Sequence, residues 1–419
     1  MKKVLATMLA LAMALALTAT VWATDVSGST KAAKIGDTEY DTLQAAIDAA
    51  SGSENTVVVL LNDLTESITI ASDKTITLDL NSHNLTNTDG QHTITNNGTL
   101  TITGTGTVDN VTHARAAIVN NGTATLNGGT YTRSKENSDN NKEDAKGNSY
   151  YTILSDNGAT MTINEGVKVT NVGHFSSMIR NGGTSASTMI INGGTFSGGL
   201  NAVKNDEAGV LTINGGDFSN TSQYVVMNWH QATINGGSFK ALSSADAVLF
   251  TAKYAENIAV GELTIKDGTF DRSADTQKII EVNYKKDGQV MYETGTAAIY
   301  SGVFADDVSA YATEGTAVAS LKGVYYVGAA NIESAVNSMN GGDTLTVVKG
   351  EVTINGTKYS KESNMTYTKP AYYYTNPTTT TTPDATKGSP KTFDAGVGIY
   401  AMTAVLSLTG MAYVGKKKS

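Results

Sequence analysis

Few side chains in this chain are able to do chemistry, and their spacing limits what they can do. The five histidines, His83, His92, His113, His174 and His230, fall at no metal-ligand spacing. Cysteine is absent, which removes thiolate metal sites, cysteine nucleophiles and any disulfide framework. The Gly-Gly pairs do not fit a phosphate-binding loop. Asp217, Asp267 and Asp271 stand near polar turns and suit at most weak Ca2+ binding, against the plainer reading of solvated carboxylates; no other cofactor is expected. One aromatic group is more informative. Asn228-Trp229-His230-Gln231-Ala232 aligns with Asn120-Asn121-Gly122-Thr123-Ala124, which puts Trp229 at a polar corner beside His230 and near Tyr224. An exposed indole there would stack on a sugar ring; the alternative is packing beneath the insertion of an adjacent segment.

Composition bounds the rest. The chain has 419 residues, 42 glycines and four prolines, Pro370, Pro377, Pro383 and Pro390, so nothing before residue 370 is proline. Thirty basic against 39 acidic residues give a net charge of −9, which argues against nucleic-acid binding. Residues 1–23 read as a secretory signal peptide: Lys2 and Lys3, an apolar run from Val4 to Leu17, then small Val21 and Ala23 before the cut. Near the other end, residues 395–415 are uncharged and long enough to cross a bilayer, and Lys416-Lys417-Lys418 follow. Between body and span lies a Thr/Pro-rich stretch, residues 370–388, suited to an extended stalk.

The C-terminal order resembles the cell-wall sorting signal of Gram-positive surface proteins. Its motif is Ser389-Pro390-Lys391-Thr392-Phe393, with Ser389 where Leu and Phe393 where Gly is commonest. The resemblance implies that sortase cuts after Thr392 and joins it to peptidoglycan. A retained C-terminal membrane span is the alternative. Cleavage at both ends would leave 25 basic and 38 acidic residues, a net charge of −13.

The middle of the chain repeats itself. Leu211-Thr212-Ile213-Asn214-Gly215-Gly216-Asp217-Phe218 recurs as residues 232–239, 189–196 and 263–270, with weaker copies elsewhere. The central apolar residues Ile102, Leu126, Ile163, Ile191, Ile213, Ile234, Ile265 and Ile299 stand 21 to 37 residues apart, the shortest intervals clustering at 21–24. Within Leu211-Thr212-Ile213 the side chains alternate at period two, and Asn-Gly and Gly-Gly supply sharp corners. Units of this length built from short strands predict a β-solenoid. Leu211, Ile213 and Phe218 should stack on Ala232, Ile234 and Phe239. Asn192, Asn214 and Asn235 should form a ladder, and Thr212, Thr233 and Thr264 an outer face. The missing prolines fit, because every coil needs its amides on both sides.

Residues 35–306 resemble the right-handed parallel β-helix proteins of the pectate-lyase-like superfamily. Tyr40 to Ala50 reads as an amphipathic helix, with Leu43, Ala46, Ile47 and Ala50 on one face, that would cap the open end. Ile332-Glu333-Ser334-Ala335-Val336 leading to residues 341–348 is a diverged echo of that cap. That superfamily includes polysaccharide lyases and hydrolases. Asn87-Thr88-Asp89-Gly90 resembles the first catalytic motif of polygalacturonases, but the position one coil on is Val111-Thr112, and the remaining motifs are missing. Of the four arginines, Arg115, Arg133, Arg180 and Arg272, none lies in a lyase motif. Residues 133–150 read as a mobile loop.

The expected organisation is a signal peptide (1–23), an all-β right-handed parallel β-helix with a helical N-terminal cap (24–306), and a closing segment or small α+β module (307–369). A stalk (370–388) and a sorting signal (389–419) complete it. The expected role is non-catalytic display or adhesion at the cell surface, with a glycan or host surface as ligand and sortase and peptidoglycan as partners. A polysaccharide lyase or glycoside hydrolase, and a purely structural spacer, remain as alternatives.

Overall fold

The computed structural model describes residues 30–371, apart from 137–149, 174–175, 221, 254–259, 284, 287–288 and 291–293. The signal peptide, nearly all of the stalk, the sorting motif with Thr392, and the apolar span all lie outside the described residues.

The repeat folds as parallel stacked coils, a β-solenoid of about 8 turns. Each coil contributes one strand to each of three sheets, here called A, B and C. In one coil these strands are Gly209–Ile213, Asp217–Asn220 and Tyr224–Asn228, and the chain re-enters sheet A at Gln231–Ile234. Neighbouring coils pair in parallel and in register, Leu211 on Ala232, Ile213 on Ile234 and Phe218 on Phe239, as the repeat predicts. Phe196, Phe218, Phe239, Phe270 and Phe304 form one inward column, with ring centroids 4.5, 4.8, 5.0 and 4.8 Å apart and planes within 6° of parallel. Those distances are the spacing of adjacent strands, so the backbone ladder dictates the ring stack.

The glycines of the corners answer to two different demands. The second glycine of each pair, such as Gly216 at φ +113, takes a conformation that side chains rarely adopt, and its own coil's Phe218 ring lies against it. Gly122 has no such φ, but a Cβ there would stand 2.2 Å from the Gly98 carbonyl oxygen of the coil below. At this corner glycine is required by close stacking.

A buried polar ladder runs where sheet C turns into sheet A. Asn96 donates to Asn120 at 2.7 Å, and Asn120 to the Ser155 hydroxyl at 3.2 Å. A second run goes from Asn181 to Asn205 and on to Asn228, both at 2.8 Å, and ends on the Thr251 hydroxyl at 3.1 Å. These side chains are fully buried. Each amide also donates to backbone carbonyls of its corner, as Asn205 does to Gly209 and Gln231. Burying amides is tolerated because the next coil supplies their partners.

Both ends are closed. The antiparallel strands Ala33–Ile35 and Thr38–Tyr40 cover the first sheet A strand of the solenoid, Thr56–Leu60. Helix α1, Leu43–Ala49, buries Leu43, Ala46 and Ile47, and Ala50 just beyond its end is buried as well. It starts at Leu43 and not at the expected Tyr40, because the Thr42 side chain caps it, accepting from Ala45 N at 3.1 Å. The Glu66 carboxylate accepts from the amides of Leu43 and Gln44, both at 2.8 Å, tying the cap to the first coil. At the far end Gly302–Phe304 pairs antiparallel with Val324–Val327, which continues sheet B into a small α+β module. Helix α2, Ala329–Ser338, packs Ile332 and Ala335 into this module's own core with Leu321, Met339, Leu345 and Val347.

The inner ladder breaks at one rung. Asn181 Oδ1 is buried without a hydrogen-bond partner, because position 155 of the coil below carries a serine too short to offer an amide. Ser155→Asn should close the gap and raise stability by about 1 kcal/mol, read as a higher urea midpoint; an unchanged or lower midpoint would contradict the ladder's continuity.

Candidate functional site

The repeat motif lays out a continuous outer strip. On sheet A, Thr99, Thr123, Thr160 and Thr188 form one exposed rank. Thr101, Thr125 and Thr162 form a second rank, which Ile190 interrupts and Thr212, Thr233 and Thr264 continue. Alongside them stands the outer asparagine ladder. Asn235 donates to Asn214, Asn214 to Asn192, Asn192 to Asn164 and Asn164 to Asn127, each at 2.7 Å. The expected rungs 192, 214 and 235 are therefore joined by two more. Beyond the ladder the glycine corners leave a shallow trough of about 640 Å3, floored by Gly193, Gly194, Gly215 and Gly216 and flanked by Glu165 and Asp217.

This strip is chemically plain and repetitive. The two threonine ranks carry no charged side chain from Thr75 to Thr233; Glu262 is the first. The internal rungs Asn164, Asn192 and Asn214 each spend one N–H and one oxygen lone pair on their neighbours, leaving one of each for solvent or ligand. The result is donors, acceptors and hydroxyls at coil spacing along the solenoid axis.

The residues singled out from the sequence fare differently. Trp229 is corrected: it is 4% exposed and packs edge-on to Phe250, with ring centroids 4.8 Å apart. Asn228 takes the inward corner, so Trp229 joins an apolar cluster on the outer side of sheet C with Tyr224, Met227, Ala247, Phe250 and Ala252. Tyr224 is buried too, and its hydroxyl donates to Glu281 at 3.0 Å. His230 is half-buried, with Nδ1 3.1 Å from the Gly209 carbonyl. Tyr224 and Trp229 lie together, with His230 outside their cluster, and the two buried rings present no open face for a sugar.

The catalytic alternatives gain little geometry. Asn87 is buried and its Oδ1 accepts from Val111 N at 2.6 Å, while Asp89 sits 3.3 Å from the Thr112 hydroxyl at the same corner. Arg180 is held between Asp206, at 2.8 Å, and Asp156, at 3.5 Å, with Tyr151 beneath its guanidinium. Arg272 pairs with Asp306 at 2.7 Å. Asp271 is taken by Lys240 at 2.7 Å, and among the described residues no three acidic or histidine side chains converge on a metal position. Burial and then the charge of Glu281 push the Asp246 carboxyl up, and Lys278 holds Glu281 at 2.7 Å.

The ends of the 133–150 insertion are anchored, which corrects the expectation of a mobile loop at those ends; residues 137–149 lie outside the described residues. The buried Arg133 pairs with Glu136 and donates to the Tyr150 carbonyl at 2.6 Å. Asn171 donates to the same Glu136 at 3.1 Å. Tyr150 in turn lies 5.5 Å from the His92 ring.

Comparison with protein-family models, with curated proteins and with solved structures finds no match to this chain. The arrangement of its own surface is therefore what speaks to its role.

His92 carries a pH signature. Its Nδ1 accepts from Ala116 N at 2.9 Å, and burial, then Arg115 and Arg133, lower its pKa from 6.5 to about 4. In that window the unfolded chain takes up a proton that the folded chain refuses. This contribution to stability is therefore complete above 6.5 and falls as pH drops towards 4. His92→Asn, whose amide oxygen can still accept from Ala116, should lose less stability than the parent between neutral pH and about pH 4 in urea titrations. Equal losses would contradict the assignment.

Proposed function

We propose that the chain is a secreted, cell-wall-anchored surface protein whose solenoid is a non-catalytic display and adhesion module, binding neutral glycan along the Thr/Asn/Gly strip. The observation that carries this reading is the strip itself: its threonine ranks and asparagine ladder are uncharged from Thr75 to Thr233 in an acidic protein, and they repeat at the coil spacing. That spacing, 4.5–5.0 Å between stacked rings, is close to the length of one sugar unit in an extended chain. Sugar hydroxyls both donate and accept, as each outer asparagine can. The signal-like N-terminus and the sorting-like motif at Thr392 support placement at the cell surface. In this reading Thr392→Ala releases the protein from the wall fraction.

The test uses the processed chain, residues 24–392, on a glycan array, with assays for new reducing ends and unsaturated products on the same ligands. Retention on neutral glycans without product is expected. The paired change Thr212→Glu with Thr233→Lys puts an ion pair across register neighbours, so the fold should hold while the strip is covered. Retention should drop at least about tenfold. Undiminished retention would overturn the strip as the binding face, and product release would overturn the non-catalytic role.

A further inference from the structure

The C-terminal module holds a cleft unrelated to the solenoid strip. It lies between helix α2 and the strand Glu351–Ile354 and encloses about 510 Å3. Its floor is apolar, with Ala317, Ile332, Val336 and Ile354, and its rim is acidic, with Glu333 and Glu351. Glu333 is exposed, and Glu351 meets Lys358 at 2.9 Å across the hairpin. The volume falls within the range of ligand sites, yet one wall is a strand edge, which narrows what can fill it.

That strand forms a two-stranded antiparallel sheet with Thr357–Ser360 and joins no other described strand. The turn between them, Asn355-Gly356, has φ +50 and +77, a tight two-residue hairpin. Such a turn makes Ile354–Thr357 and Val352–Tyr359 the hydrogen-bonded pairs, so the N–H and C=O groups of Glu351 and Thr353 face the other way. Among the described residues neither backbone makes another hydrogen bond. An unpaired edge beside an apolar, acid-rimmed groove is the geometry that accepts an added strand.

We propose that this cleft binds an extended segment of another protein as an added β-strand, one that alternates apolar with basic side chains. Backbone hydrogen bonds to Glu351 and Thr353 supply the pairing. Alternate apolar side chains enter the pocket of Ile332, Val336 and Ile354. Basic side chains meet Glu333 and the Glu351 rim. This site is independent of the glycan strip, so either can fail without the other.

The test is fluorescence anisotropy of the processed chain with a labelled peptide alternating valine and lysine, beside one alternating valine and glutamate. A third peptide carries N-methyl groups on alternate amides. The valine–lysine peptide should bind, and the other two at least about tenfold more weakly. Thr353→Pro removes an outward-facing N–H without touching a hairpin hydrogen bond, and should weaken binding by a similar factor. Glu333→Lys, on the exposed side of α2, should do the same and keeps the test open if the proline unfolds the hairpin. Equal binding of all three peptides, or none, would overturn the proposal. So would binding that both variants leave intact. Concentration-dependent self-association abolished by Thr353→Pro would overturn it in favour of a second copy of this chain as the occupant.

Discussion

The structure depends on one constraint: the buried amides of the inner corner are fully satisfied only when the neighbouring coils stand in register with them. Asn205 has a neighbour at 2.8 Å on each side, Asn181 and Asn228, and its remaining donor goes to the backbone of its own and the following corner. A slip of one residue would remove all of these at once and leave polar groups buried without partners, the costliest error a core can contain. The phenylalanine column and the aliphatic columns would tolerate a slip far better, since apolar contacts are non-directional. The apolar interior thus drives collapse, while the asparagines decide which collapsed arrangement is native.

Surface chemistry follows from the same register. Because each coil repeats the last, any side chain pointing outward is copied along the axis, and a single motif becomes a rank. Threonine suits this position, being β-branched for the strand and polar for solvent. The outer asparagines repeat the inner arrangement in water, where their stability contribution is smaller and half their hydrogen-bonding capacity stays free. Where coils depart from the motif, as at Trp229 and around Arg133, the departures are absorbed by local packing or ion pairing.

The solenoid was legible in the sequence because its signal is redundant: the Leu-Thr-Ile-Asn-Gly-Gly-x-Phe pattern states strand, corner and core in each copy. Phe218 over Phe239 and the outer asparagines follow from it directly, and the apolar face of α1 follows from its own helical spacing of Leu43, Ala46 and Ile47. The inner ladder was visible only as a recurrence, Asn96, Asn120, Asn181, Asn205 and Asn228 just before each turn. Nothing in the residue type says that these amides point inward. Trp229 was misplaced because alignment gives a corner, whereas exposure depends on what packs over it; the apolar Met227 and Phe250 on the same outer side were the missed signal. The cleft of the C-terminal module had no signal at all, since an unpaired strand edge is a property of topology.

The coil register sets both the core and the outer strip, and the absence of cysteine makes it directly measurable. Two cysteines introduced on the outer face of sheet A, Thr212→Cys and Thr233→Cys, face each other across neighbouring coils. Adjacent strands hold such a pair at about 4.8 Å, inside the range a disulfide spans. Under mild oxidation this pair should cross-link rapidly, and the offset pair Thr212→Cys with Gln231→Cys slowly or not at all. Equal cross-linking of the two pairs, or faster cross-linking of the offset one, would contradict the register from which the fold and the binding strip are both derived.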